Sequence, residues 1–131
     1  MPAEPKRILV IEDEPTIRDI CKTVLTDEGY YTDVVENGSI GLEALKSCQY
    51  DLYLVDIRMP SMGGIEFFEL LQKDFPQVIN KVVFTTGDLL DMDVLRFIKR
   101  SNRPLLPKPF SIGELKIMVA KMLGSASNTA V

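Results

Sequence analysis

The chain has no histidine among its 131 residues. That absence excludes Ser-His-Asp and Cys-His catalysis, His-ligated zinc and any role as its own phosphohistidine carrier. Phosphoryl chemistry here would need a donor from outside. Cysteine is scarce too. Cys21 and Cys48 are too few for a disulfide framework and are spaced for no metal motif. Both fall on predicted inward helix faces, so packing is their expected role. No apolar run approaches membrane-spanning length, and the start, MPAEPKR, lacks the apolar core of a signal peptide. No membrane insertion is expected, and the cytoplasm is the expected compartment. Positive charge is not in excess either: 15 Lys and Arg face 19 Asp and Glu, for a net charge of −4. That balance argues against nucleic acid as a direct partner. Internal repeats and low-complexity stretches are absent.

What remains is a regular alternation of short apolar runs and helix-period segments. Residues 8–11 (ILVI) read as a buried strand. Ile17, Ile20, Cys21, Val24 and Leu25 then follow at offsets 0, 3, 4, 7 and 8, one apolar helix face ended by Gly29. A more polar strand at 31–36 turns at Asn37-Gly38 into a helix lined by Gly41, Ala44, Leu45 and Cys48. The third strand, at 52–55, leads into a helix carrying Ile65, Phe68 and Leu71. The fourth, at 81–85, precedes a helix with Leu90, Val94, Phe97 and Ile98 inward. Asp88 is the expected cap of that helix, which would begin near Leu89. A short strand at 104–106, with prolines that cannot donate ladder hydrogen bonds, should lie at a sheet edge. The last helix would turn Ile112, Leu115, Val119, Met122 and Leu123 inward, and residues 124–131 read as a flexible tail or linker stub.

Five β-α units with apolar strands predict an α/β fold: a doubly wound five-stranded parallel sheet with five helices. Right-handed crossovers leave two common strand orders. In the order 2-1-3-4-5, strands one and three are neighbours, and a ligand crevice opens at their C-terminal ends.

The residues at those ends are unusual. Strand one ends in Glu12-Asp13-Glu14, strand three in Asp56, strand four in Thr85-Thr86-Gly87 and strand five in Lys108-Pro109-Phe110. Converging Glu12, Asp13 and Asp56 would repel one another unless a cation joins them. With hard oxygens as the only donors, the cation of choice is Mg²⁺, which expects phosphate oxygens to complete its shell. Lys108 and the Thr86 hydroxyl would grip such oxygens. Gly87 would leave room for their approach, and Asp56 would serve as nucleophile. Each residue alone has a plainer reading. The acidic triplet before Pro15 makes a good helix start, Asp56 an Asx-turn residue and Lys108 a solvated charge.

The motifs ILVIEDEP, LYLVDIRMP with Gly64 following, VVFTTG and LLPKPF, in that order and each at a strand end, resemble those of response-regulator receiver domains of two-component signalling. The resemblance covers about residues 5 to 123. It implies the flavodoxin-like strand order 2-1-3-4-5, with Asp56 as phosphoacceptor and Asp13 as a direct Mg²⁺ ligand. Glu12 would ligate directly or through water, and the backbone carbonyl of Arg58 would be a further ligand. Thr86 and Lys108 would bind the phosphoryl group, and the Lys108–Pro109 bond would be cis. Arg58 and Asp88 would flank the site and tune phosphoryl lifetime. The implied protein is a signalling switch rather than an enzyme for other substrates. Its phosphoryl donor would be a histidine kinase or a histidine phosphotransfer protein. Its readout would be a downstream protein target or an output domain, and a homodimer is among the assemblies the family allows.

The chain departs from the family pattern at two places. Leu105 stands where many receivers carry the Tyr or Phe that turns inward on phosphorylation, which directs the signal instead through the loop after Thr86 and the fourth helix. Residues 99–104 (KRSNRP) replace the usual Gly-Ala turn and predict a basic output face. The expected protein is either a stand-alone receiver acting by docking or a receiver cut from a longer protein such as a hybrid kinase. The competing readings are a non-phosphorylated pseudo-receiver acting as scaffold, a flavin mononucleotide carrier and an aspartyl-phosphate hydrolase. EDEP would repel the flavin's phosphate. Arg58 stands where the hydrolases carry their second Asp.

Overall fold

The computed structural model of the chain describes residues 4–124. The predicted tail, apart from Gly124, lies outside the described residues. Five strands, β1 (Arg7–Ile11), β2 (Tyr31–Val35), β3 (Leu52–Asp56), β4 (Val82–Thr86) and β5 (Leu105–Pro107), form one parallel sheet in the order β2-β1-β3-β4-β5. Five α-helices connect and follow them: α1 (Pro15–Asp27), α2 (Gly38–Ser47), α3 (Gly64–Asp74), α4 (Met92–Ser101) and α5 (Ile112–Leu123). A 3₁₀ segment, Pro76–Lys81, is a sixth helical piece that the hydrophobic pattern did not indicate. It takes up Lys81, so β4 starts one residue later than the apolar run suggests.

Successive strand residues point to opposite faces, and both faces of the inner strands are buried, which is why β1, β3 and β4 are largely apolar. At the sheet edge, β2 (YTDVV) is more polar and only partly buried. Leu9 and Ile11 of β1 join Tyr53, Val55 and Phe84 in one core with Phe67, Phe68, Leu71 and Phe97 from α3 and α4. Ile8 and Val10 join Leu52, Leu54 and Val83 in the other, with Cys21 and Leu25 of α1 and Leu115 and Val119 of α5. Phe68, Phe84 and Phe97 meet edge-to-face, with ring centroids 5.3 to 5.8 Å apart. Cys21 is buried, and Cys48 is half-buried with its sulfur accepting from the Arg7 guanidinium at 3.3 Å.

Several local expectations shift. Ile20 and Ile112 are exposed rather than inward, and Leu90 is 95% exposed. The reason for Leu90 is the cap. Asp91, not Asp88, accepts from the Asp93 and Val94 amides at 2.8 and 3.2 Å, so α4 begins at Met92 and leaves Leu90 in the preceding loop. Nor is the segment at 99–104 one exposed basic face. Arg103 is half-buried and donates to the carbonyls of Val82 (3.0 Å) and Asn80 (2.7 Å). Lys99 and Arg100 remain exposed, and Asn102 makes the turn with a φ of 58°. β5 lies at the sheet edge, as its prolines predict, and the Pro104 carbonyl accepts from the Phe84 amide at 3.0 Å.

Two glycines fix how closely helices approach the sheet. A Cβ at Gly41 would lie 2.5 Å from Ile11 Cδ1, so a side chain there would have to displace the end of Ile11 where α2 rests on β1. A Cβ at Gly64 would meet the carbonyl oxygen of Asp56 at 2.6 Å. Backbone cannot yield as a flexible side chain does. Gly64→Ala is therefore expected to cost roughly 1–3 kcal/mol in urea denaturation, the usual penalty of overpacking.

Candidate functional site

The parallel sheet brings four strand ends to one rim. Glu12 follows β1, its amide donating to the Val35 carbonyl at 3.0 Å, and the Lys108 amide donates to the Thr86 carbonyl at 2.9 Å. Asp56 is the last residue of β3, and its neighbour in register is Thr85 of β4. Because β3 sits between β1 and β4, its terminal carboxylate lies between the acidic loop on one side and the hydroxyl and ammonium on the other. Carboxylate oxygens of Glu12, Asp13 and Asp56 lie within 4.8 Å of one another. Asp13, Asp56, Arg58, Thr86, Gly87 and Lys108 line one open cleft. An added Cβ at Gly87 would find nothing nearer than Lys108 Cβ at 3.7 Å, so the floor of the cleft is clear there. The Lys108–Pro109 bond is cis.

Electrostatically the cleft is a buried excess of negative charge held by one ammonium. Lys108 Nζ stands 2.9 Å from Glu12 Oε1, 3.2 Å from Asp56 Oδ2 and 3.5 Å from Glu14 Oε1. Glu12 and Asp56 are 3% and 4% exposed, so both carboxylates are almost wholly dehydrated. Burial, reinforced by the charge of Glu12, pushes the Asp56 carboxyl up to about 7 despite Lys108. Burial also raises Glu12. Burial pulls Lys108 down, but the Glu12 and Asp56 carboxylates outweigh it and its ammonium is held above the usual range.

Thr86 is buried, and its Oγ1 accepts from the Asp88 amide at 3.0 Å. Arg58 and Asp88 meet across the mouth of the cleft at 2.8 Å.

Two contributors escaped the sequence reading. Arg18, one turn into α1, donates to the carbonyls of Glu12 (2.8 Å) and Asp13 (2.9 Å), clamping the acidic loop from behind. The contact is to backbone, so no pairing of side-chain types advertised it. Asp91 also pairs with Arg58, 33 positions away in sequence, a contact that only the fold creates.

Glu12, Asp13 and Asp56 offer hard oxygen donors only, converging at ligand spacing with a charge that Lys108 compensates only in part. This set fits a small divalent cation of the Mg²⁺ kind.

The chain as a whole is similar to known proteins. The chain is 32% identical over 118 residues to the DNA-binding response regulator MtrA of Mycolicibacterium smegmatis, an alignment covering 90% of this chain and 50% of that protein. It is 30% identical over 122 residues to the aerobic respiration control sensor protein ArcB of Escherichia coli, covering 92% of this chain but 16% of the sensor. The chain thus spans half the length of the first relative and far less of the second. The crystal structure of a CheY-like response regulator receiver domain protein from Methanospirillum hungatei superposes with a TM-score of 0.82. It is 26% identical, with 92% of this chain and 94% of that one covered. No described helix is long and apolar enough to cross a membrane. Residues 8–120 match the family model of the response regulator receiver domain, and the chain belongs to that family.

Proposed function

We propose that residues 5–123 form a phosphoacceptor switch in which Asp56 takes a phosphoryl group from a partner's phosphohistidine. The observation that carries this reading is the convergence of Glu12, Asp13 and Asp56 within 4.8 Å, with Lys108 Nζ 3.2 Å from Asp56 Oδ2. Glu12, Asp13, Asp56 and the backbone carbonyl of Arg58 would hold Mg²⁺. The bound ion would neutralise charge on the transferring oxygens. Asp56 Oδ attacks phosphorus as the P–N bond of the donor breaks, its electron pair going to the imidazole. Lys108 is positioned to bind an equatorial phosphoryl oxygen through a charge-assisted hydrogen bond. Thr86, at the end of the neighbouring strand, supplies a hydroxyl to the same group. The sheet holds these groups rigidly, so little reorganisation is needed at the moment of transfer.

The donor would be a histidine kinase or histidine phosphotransfer protein, and the response would pass to a downstream protein target or output domain. The compartment that supplies such donors is the cytoplasm. The test is intact mass after incubation with a small phosphoryl donor, with and without Mg²⁺. One Mg²⁺-dependent, hydroxylamine-labile phosphoryl adduct is the expected result. Failure both to form the adduct and to bind Mg²⁺ would favour a pseudo-receiver acting as a scaffold.

The raised Asp56 carboxyl gives Mg²⁺ binding a defined pH dependence. Below about 7 a proton occupies the carboxylate and competes with the metal. Calorimetric titration should show affinity roughly tenfold weaker at pH 6 than at pH 8, where Asp56 is already ionised. Equal affinities at the two pH values would show that no proton competes with the metal at Asp56 in this range.

A further inference from the structure

Arg58 lies two residues beyond Asp56, and its side chain is 57% exposed at the mouth of the cleft. Its Nη2 is shared between two partners: Asp88 Oδ2 at 2.8 Å and the carboxylate of Asp91. Neither aspartate is otherwise idle. The Asp88 amide donates to Thr86 Oγ1, and the second oxygen of Asp91 caps α4 by accepting from Asp93 and Val94. One guanidinium nitrogen thereby ties the loop after β3 to the segment 87–91 and to the first turn of α4.

We propose that the Arg58 guanidinium is a phosphoryl-binding group held in reserve by Asp88 and Asp91. A phosphoryl group on Asp56 draws it off Asp91 and loosens the start of α4. This rests on the reading of Asp56 as phosphoacceptor.

The exchange is driven by competition among anions. Two carboxylates crowd one nitrogen and repel each other, and both ion pairs are solvent-exposed, a setting in which such pairs are weak. A phosphoryl group brings nearly two negative charges and several strong acceptors into the cleft that Arg58 already lines. Guanidinium favours phosphoryl oxygens through bidentate geometry. The phosphoryl group contacts Arg58 only in the released state, which is the differential interaction a population shift requires. The segment that Arg58 restrains carries exposed Leu89 and Leu90, with exposed Met92 next to it, so release alters how an apolar strip is presented. It also gives a route to α4 that needs no aromatic ring at Leu105.

The experiment is amide hydrogen exchange over residues 87–95, with and without Mg²⁺ and beryllium fluoride as the phosphoryl analogue. Adduct formation is followed independently by its fluorine NMR signal. The wild-type protein should exchange about three- to tenfold faster in this segment once the adduct forms. Asp91→Ser keeps a capping hydroxyl but loses the charge. It should exchange fast from the start and change little on adduct formation, and Arg58→Gln should behave the same way. An adduct with unchanged exchange in the wild type, or a full response in Asp91→Ser, overturns the latch while leaving Asp56 as acceptor. No fluorine signal from the wild type overturns the Asp56 reading, and the latch with it.

Discussion

Asp56→Asn is expected to abolish the phosphoryl adduct entirely and, in metal-free buffer at pH 8, to make the protein more stable. The two effects share one cause. Asp56 is 4% exposed beside a second buried carboxylate, and its carboxyl is pushed up to about 7 by burial first and Glu12 second. The unfolded chain releases this proton near pH 4. Between roughly pH 4 and 7 the folded state therefore holds more protons than the unfolded one, and stability falls as pH rises through that window. Fully ionised, the carboxylate costs the fold up to about 4 kcal/mol by this linkage. The amide keeps the shape without the charge but gives up the attraction to Lys108, so the net gain should be about 2 kcal/mol. That gain corresponds to roughly 5–10 °C in Tm. Thermal unfolding of both proteins in a chelating buffer at pH 8 and pH 5 checks this. The gap should narrow at pH 5, where wild-type Asp56 is protonated, and should close or reverse at pH 8 when Mg²⁺ is added. A variant less stable than the wild type at pH 8 would mean that the carboxylate is satisfied as it stands.

Lys108→Met should act with the opposite sign. Its ammonium is the counter-charge common to Glu12 and Asp56, at 2.9 and 3.2 Å. Removing it leaves two dehydrated carboxylates facing each other, and stripping one partner from a buried pair typically costs about 3–5 kcal/mol. Lys108 is 13% exposed at its side chain, so a loss toward the lower end, about 3 kcal/mol, is expected in urea denaturation at pH 8 without metal. Acidification should recover part of it as the carboxylates take up protons. Mg²⁺ should recover more, because a divalent ion at the same carboxylates replaces the missing charge. Under the proposed function, phosphorylation of this variant should still be roughly a hundredfold slower even when saturated with Mg²⁺, since it lacks the ammonium proposed to grip the transferring group. Unchanged stability with no response to Mg²⁺ would remove Lys108 from the cluster.

These opposed signs follow from a placement that the sequence announces only in part. Hydrophobic periodicity located all five strands to within about a residue and all five α-helices, because a parallel strand buried on both faces has no choice but to be apolar. The prolines of β5 marked the sheet edge for an equally local reason, a missing donor. The periodicity misjudged positions where a local interaction outweighs hydrophobicity. Leu90 fits the helical offsets, but the Asp91 cap starts α4 after it. Arg103 sits in a basic run, yet satisfies two carbonyls.

The sequence by itself determined the residue types at the strand ends, and the register of a parallel sheet carries those ends to one rim. Glu12, Asp13, Asp56, Thr86 and Lys108 could therefore be named as a group from one dimension. Only the tertiary structure decided how their charges balance. Lys108 reaches three carboxylates across the sheet, Arg18 clamps the acidic loop through its carbonyls, and Arg58 is divided between Asp88 and Asp91. Pairings of this kind depend on distances of a few ångström between segments far apart in the chain, and Coulomb and desolvation energies change steeply over such distances.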